Sequence, residues 1–179
     1  CSVARMTGDN MLEIWSGTQS PYFVRKEVAH VCNLPLSRVR VMPILSGCGF
    51  GSRSKYCEDE GVTALLAIRT GRPVKINFTR EEEMTTTRIR HPYRMKIKTG
   101  VRKDGTLLAR QMEVVVDKGA YCHYGPGVTG YAAGIASSLY RVPNFRYRAK
   151  IVYTNKEVGG PFRGFGAPQV GLAIDVQLD

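Results

Sequence analysis

Two short glycine-rich stretches each carry phenylalanine: Ser46-Gly47-Cys48-Gly49-Phe50-Gly51-Ser52 and Gly159-Gly160-Pro161-Phe162-Arg163-Gly164-Phe165-Gly166. Closely spaced glycines let a backbone turn sharply and approach a ligand, with N–H groups aimed at an anion or a cofactor's polar edge. The first stretch is spaced G-x-G-x-G. It is neither the dinucleotide fingerprint G-x-G-x-x-G nor a P-loop, because no G-K-[ST] follows. Rings among glycines are costly to leave in water, so Phe50, Phe162 and Phe165 are expected to pack on something planar or on the core. Arg163 is a fixed-charge fork suited to phosphate, an oxyanion or a structural carboxylate.

Other reactive groupings are thin. There is no G-x-S-x-G elbow and no H-E-x-x-H pair. Cys122 and His123 are neighbours, which on a strand would face opposite ways. His30 reads as a surface residue and His91, before Pro92, as a turn hydrogen-bonder. His123 lies in an aromatic loop where it could face a pocket. Glu81, Glu82 and Glu83 occupy a first helical turn, where carboxylates complement the helix N-terminus. Cys1, Cys32, Cys48, Cys57 and Cys122 form no C-x-x-C pair, so neither zinc nor a local iron–sulfur cluster is expected. A reduced, cytoplasmic chain is the simplest fit.

The elements that must hold these loops are legible in outline. Ser2–Met6 and Leu12–Trp15 read as strands about Gly8-Asp9-Asn10. Thr18 or Ser20 caps a helix with Pro21 at its first position and Phe23, Val24, Val28 and Val31 at helical spacing. Val39–Leu45 is a strand that leads into the first glycine loop. A second helix spans Glu58–Thr70, with Val62, Leu65, Leu66 and Ile68 as its apolar side and Gly71 as its stop. Val74–Phe78 is a strand, and Thr79 caps the acidic turn. The longest hairpin pairs Tyr93–Val101 with Thr106–Asp117 through Asp104-Gly105. Gly119–Gly130 reads as a loop, Ala132–Leu139 as a short helix and Arg146–Tyr153 as a strand; a last helix starts at Pro168. The fold class is α+β (mixed α/β) with a long antiparallel hairpin.

With 179 residues and 43% hydrophobic content, a real core is available, and residues 1–179 are expected to form one partial domain. The absence of an initiating Met and a final helix that reads as unfinished suggest a piece of a longer subunit. No apolar run reaches membrane-spanning length. The net charge of +11 leaves open a basic, non-enzymatic module for nucleic acid or an acidic partner. However, Arg94, Lys96 and Lys98 alternate with Met95 and Ile97. This is the period of a strand with one solvated basic face, or of a basic rim that meets an acidic subunit.

Several motifs occur in one order along nearly the whole chain. They are Thr18-Gln19, Gly47-Cys48-Gly49-Phe50-Gly51, Thr70-Gly71-Arg72-Pro73-Val74, Arg80-Glu81-Glu82, Arg90-His91-Pro92, Tyr140-Arg141-Val142-Pro143-Asn144 and Phe162-Arg163-Gly164-Phe165-Gly166-Ala167-Pro168-Gln169. The series closely resembles the molybdopterin-binding subunit of the xanthine dehydrogenase/aldehyde oxidase family, the molybdenum hydroxylases. The resemblance implies a molybdenum–molybdopterin cofactor, with the cytosine dinucleotide among its forms, and no direct protein ligand to the metal from this chain. It implies 2Fe-2S and FAD on partner subunits or domains, an oligomer, and no nucleic acid. It also implies oxidoreductase chemistry: water-derived oxygen hydroxylates an aldehyde, N-heterocycle or aromatic thioester, or the reaction runs reductively. Gln19 would hydrogen-bond an oxo ligand or water at molybdenum. Gly49, Phe50 and Gly51 would present amides along the pterin, and Phe162 and Arg163 would line the cofactor's other side. Phe165 would stack on an aromatic substrate.

The departures narrow the branch. Ser54 stands where xanthine enzymes carry Glu, and Tyr131 where they carry a substrate-facing Arg, which argues against purine oxidation. Tyr131, with Gly125-Pro126-Gly127-Val128 nearby, resembles the 4-hydroxybenzoyl-CoA reductase branch. The Phe-Arg-Gly-Phe loop argues against the carbon monoxide dehydrogenase branch. Cys48 replaces a glycine common at that place. The family's general-base Glu lies far downstream, so these residues alone are expected to be inactive or to act only as a scaffold.

Overall fold

The computed structural model describes residues 1–54 and 57–179. They divide into two compact units, Cys1–Thr87 and Arg88–Asp179.

In the first unit, β1 (Ser2–Met6) and β2 (Leu12–Ser16) form the expected hairpin. Thr7 N–H donates to Met11 O at 2.9 Å, and Asn10 takes a positive φ of 62°. After α1 (Pro21–Val31), β3 (Val39–Pro43) returns parallel to β2. It stops at Pro43 rather than Leu45 because its partner ends at Ser16. α2 (Glu58–Thr70) follows, and β4 (Val74–Ile76) adds antiparallel to β1, giving the order β3-β2-β1-β4. β4 falls short of Phe78 because Ile76 already pairs with Ser2, where β1 begins. The core gathers Ala4, Leu12, Ile14, Val24, Val28, Val39, Ala64 and Ala67. Burying each large aliphatic among them stabilises the unit by about 1.5–3 kcal/mol.

The face of α2 is the main correction. Val62, Leu65 and Leu66 are exposed, and the helix instead buries Asp59, Glu60, Gly61, Thr63, Ala64 and Ala67. Small residues bring the helix axis close to the sheet, and Glu60 and Thr63 find hydrogen-bond partners there, whereas Asp59 Oδ2 has none among the described residues. Ser2 Oγ and Thr63 Oγ1 are 2.8 Å apart, and Ser16 Oγ donates to Glu60. Ile68 packs at the core's margin. Gly71 ends the helix as expected, at φ 62°. α3 (Arg80–Thr86) has the expected Thr79 cap: Glu82 N–H donates to Thr79 Oγ1 at 3.2 Å, and Thr79 N–H to Glu82 Oε2 at 2.8 Å.

In the second unit, β5 (Ile89–Arg90) precedes the hairpin of β6 (Tyr93–Val101) and β7 (Leu107–Asp117). α4 (Gly125–Ser138) leads to β8 (Asn144–Val152), which runs parallel to β7 in a sheet ordered β6-β7-β8. β9 (Gly159–Gly160) pairs with β5, and α5 (Ala167–Leu178) closes the unit. Met112, Val114 and Val116 alternate into the core as expected, against Ala132, Ala136, Val170 and Ile174 of α4 and α5. Gly125–Gly130 is helix rather than loop. Pro126 presets the first turn, and Thr129 Oγ1 donates back to Gly125 O at 2.7 Å.

Candidate functional site

In the first unit, Gln19 and the glycine loop are tied together. Gln19 N–H donates to Arg53 O at 2.8 Å, Thr18 Oγ1 to the same oxygen at 3.4 Å, and Gly51 N–H to Gln19 Oε1 at 3.1 Å. A Cβ at Gly49 would collide with the Gln19 side chain, so glycine is required where the two cross. Phe50 and Gly51 take φ of 47° and 96°. The loop is closed from below by Ser52 Oγ donating to Gly49 O at 3.0 Å and Ser54 N–H to Gly51 O at 3.1 Å. Among the described residues, the N–H groups of Gly47, Cys48 and Gly49 donate to no acceptor. The structure therefore brings Gln19, Gly49, Phe50 and Gly51 to one place, with the Phe50 ring 50% exposed rather than in the core.

The second unit repeats the turn. Phe165 and Gly166 have φ of 49° and 98°, close to those of Phe50 and Gly51 and typical of a type I′ turn. Ala167 N–H donates to Gly164 O at 2.9 Å, and Phe165 N–H to Phe162 O at 2.7 Å. Arg90 anchors this loop. It donates to Arg163 O at 2.8 Å and to Gln169 Oε1 at 3.3 Å, with its guanidinium 4.5 Å from the Phe162 ring centre. Gln169 Nε2 donates in turn to His91 O at 3.3 Å. The His91 ring is buried against Gly159, with Nδ1 3.0 Å from Asp117 O, and burial holds its pKa below the ordinary histidine value. Phe162 and the Arg163 side chain are exposed.

Phe165 is half-buried in a ring cluster. Tyr124 and Tyr131 meet it edge-on at 6.0 and 5.8 Å, and His123 packs edge-on against Tyr124 at 4.8 Å. Tyr131 and Phe165, expected at a substrate wall, are thus in contact. Tyr124, Arg53 and Arg90 have no role in the sequence reading. Arg90 carried a signal, since it lies in the Arg90-His91-Pro92 motif.

The family model of the molybdopterin cofactor-binding domain matches residues 1–179. This chain belongs to that family. The nicotinate dehydrogenase large molybdopterin subunit of Eubacterium barkeri is 42% identical over 180 residues, covering 99% of this chain and 41% of the relative. The xanthine dehydrogenase molybdenum-binding subunit of Escherichia coli is 35% identical over 178 residues, covering 99% and 24%. Among solved structures, the aldehyde oxidoreductase of Desulfovibrio gigas matches with a TM-score of 0.87 at 29% identity, over 99% of this chain and 20% of that one. Quinoline 2-oxidoreductase of Pseudomonas putida matches at 0.83 and 29%, over 92% and 22%. This chain therefore spans less than half the length of these relatives.

The residues of this molybdopterin cofactor-binding domain fit a pterin. Three successive amides without an internal acceptor suit the polar edge of a fused heterocycle, and the exposed Phe50 ring suits its face. Directly after the loop, Arg53 Nη1 and Ser54 Oγ are buried with no hydrogen-bond partner among the described residues. Buried polar atoms of this kind are unusual in a finished site. No helix among the described residues is long and apolar enough to cross a membrane.

Proposed function

We propose that this domain holds the molybdenum–molybdopterin cofactor of a molybdenum hydroxylase. The reading includes a longer subunit of which residues 1–179 are one portion of a single cofactor-binding domain. The observation that carries it is the junction of Gln19 with Gly49 and Gly51, beside amides that lack an internal acceptor. When bound, the group supplies two-electron redox chemistry with water-derived oxygen.

The chain's own residues bind and orient. Gly49, Phe50 and Gly51 present backbone along the pterin, and Phe162 and Arg163 contact it from the second loop. Gln19, with its carbonyl oxygen engaged by Gly51, would have its Nε2–H2 group left to hydrogen-bond the bound cofactor at its molybdenum end. Phe165 stacks on substrate, and Tyr131 walls it. Partner subunits or domains would hold the iron–sulfur and FAD groups that supply electron transfer, in a cytoplasmic oligomer. The cytosine dinucleotide is one of the forms the cofactor can take, and residues 1–179 without the downstream base Glu are inactive.

The substrate is an aldehyde, N-heterocycle or aromatic thioester, hydroxylated or reductively dehydroxylated. Ser54 and Tyr131 replace a charged pair, and Phe165 sits among tyrosines. The named relatives that act on nicotinate and quinoline support the heterocycle class. Metal and pterin analysis of the full-length protein from a cofactor-competent host tests this. Stoichiometric molybdenum with an organic pterin is expected, and its absence overturns the reading.

A further inference from the structure

One face of the β6-β7-β8 sheet is covered by helices, and the other presents a grid of charge. Strand register sets it out in rows: Arg94, Val115 and Lys150; then Lys96, Glu113 and Arg148; then Lys98, Gln111 and Arg146. All six cations are exposed, three on each outer strand, and between them the central strand offers one carboxylate. Glu113 accepts from Gln111 Nε2 at 3.0 Å, and among the described residues none of the six cations makes an ion pair. The face is hollowed along β7. A depression of about 310 Å³ lies among Arg94, Lys96, Glu113, Arg148 and Lys150. A second depression, of about 730 Å³, is lined by Lys98, Gly100, Gln111, Asn144, Phe145 and Arg146.

Like charges at alternate positions of one strand stand roughly 7 Å apart, close enough to repel at physiological salt. Glu113, opposite Lys96 and Arg148, is the one carboxylate of the grid set against six cations. We infer that this face is the docking groove for an acidic surface of a second polypeptide, whose carboxylates lie against the rows of cations on β6 and β8, to either side of Glu113. Its charge is complementary to such a surface. Glu113 at the centre confines any anionic partner to the two outer rows of cations, and duplex DNA is the competing occupant that the test below separates. Val115, 40% exposed, is the only apolar side chain of the grid, too little for insertion into a lipid surface. This inference does not rest on the cofactor.

The test uses the full-length subunit purified with its bound neighbours at about 10 mM ionic strength, where charges act over about 30 Å. A carbodiimide joins amines to carboxylates with no spacer. Expected are links from Lys96, Lys98 or Lys150 to Asp or Glu of another polypeptide. The variant Lys96→Glu/Lys150→Glu should then weaken that complex by about tenfold or more and lower the salt at which it separates. Lys96→Gln/Lys150→Gln should have a smaller effect in the same direction and stands in if the reversal variant fails to fold. Molybdenum content should not change in either variant. The inference is overturned if the subunit emerges alone, if links run only to carboxylates of its own chain, or if the complex is equally tight in the variants. It is also overturned if the variants lose affinity for duplex DNA or phosphatidylserine vesicles but not for the polypeptide.

Discussion

Gln19 Oε1 accepts the Gly51 N–H at 3.1 Å across the open side of Gly49, where a methyl group would collide with the Gln19 side chain. Gly49→Ala therefore acts through Gln19. The side chain must swing away, and the misplacement is expected to lower turnover of the full-length enzyme about 10²-fold. Removing the obstacle tests this. In the Gln19→Ala background, adding Gly49→Ala should cost little more, so the two effects should fall well short of additive. Full additivity in kcat/KM would mean that Gly49 serves some other purpose.

Arg90 does for the second loop what Arg53 does for the first, but by side chain rather than carbonyl. Its charged bonds to Arg163 O and Gln169 are each worth about 1.5–3 kcal/mol. Arg90→Lys keeps the charge and loses the planar fork that stacks on Phe162. Hydrogen exchange at Phe165 N–H, which donates to Phe162 O, should speed up by about tenfold or more. Unchanged protection there would show that the loop holds itself.

These two anchors mark where sequence reasoning stops. The β6–β7 hairpin was readable because Asp104-Gly105 dictates its own turn, with Gly105 at φ 85° and Arg102 N–H bonded to Thr106 O at 2.9 Å. The Thr79 cap was readable for the same reason: its partner is three residues away. Parallel pairing of β2 with β3 and of β7 with β8 leaves no such local mark. Neither does the reach of Arg90 to Arg163, 73 positions apart. α2 misled because Val62, Leu65 and Leu66 imitate a core stripe, whereas Ala64, Ala67 and hydrogen-bonded polar groups face inward. The glycine loops and their phenylalanines were legible as motifs; that Phe50 and Phe165 take nearly the same positive φ was not.

Arg110 is an unusual cost within the second unit. It is 1% exposed, and its Nε donates to Thr99 Oγ1 at 3.1 Å. Its two terminal nitrogens are buried with no hydrogen-bond partner among the described residues, beneath the Tyr140 ring at 5.7 Å. A desolvated charge with so few bonds contributes little net stability. Arg110→Met keeps most of the volume and should be neutral or stabilising by about 1–4 kcal/mol. Arg110→Ala leaves a hole and should destabilise by about 2–5 kcal/mol. Urea unfolding of the three proteins checks this, and a strongly destabilised Met variant would show that the charge is needed.

His91 sets a pH dependence whose sign follows from its surroundings. Its Nδ1 lies 3.0 Å from Asp117 O, a carbonyl that can only accept, so the ring holds its proton there. Nε2 is buried with no partner among the described residues, which leaves no place for a second proton. Burial lowers the pKa from its ordinary 6.5 and outweighs the opposing pull of the Asp117 carboxylate and carbonyl. Below pH 6.5 the unfolded chain binds a proton that the folded chain refuses. Stability from this group is therefore complete above that pH and falls as pH drops toward the folded-state value, by at most about 1.4 kcal/mol per pH unit. Glu60 works in the opposite sense: burial raises its pKa above 4.5, so its contribution is complete below that value and declines as pH rises. The unfolding midpoint should thus fall between pH 6.5 and 5.5 in the native protein, and fall less in His91→Gln. Parallel pH profiles for the two would assign the acid sensitivity to other groups.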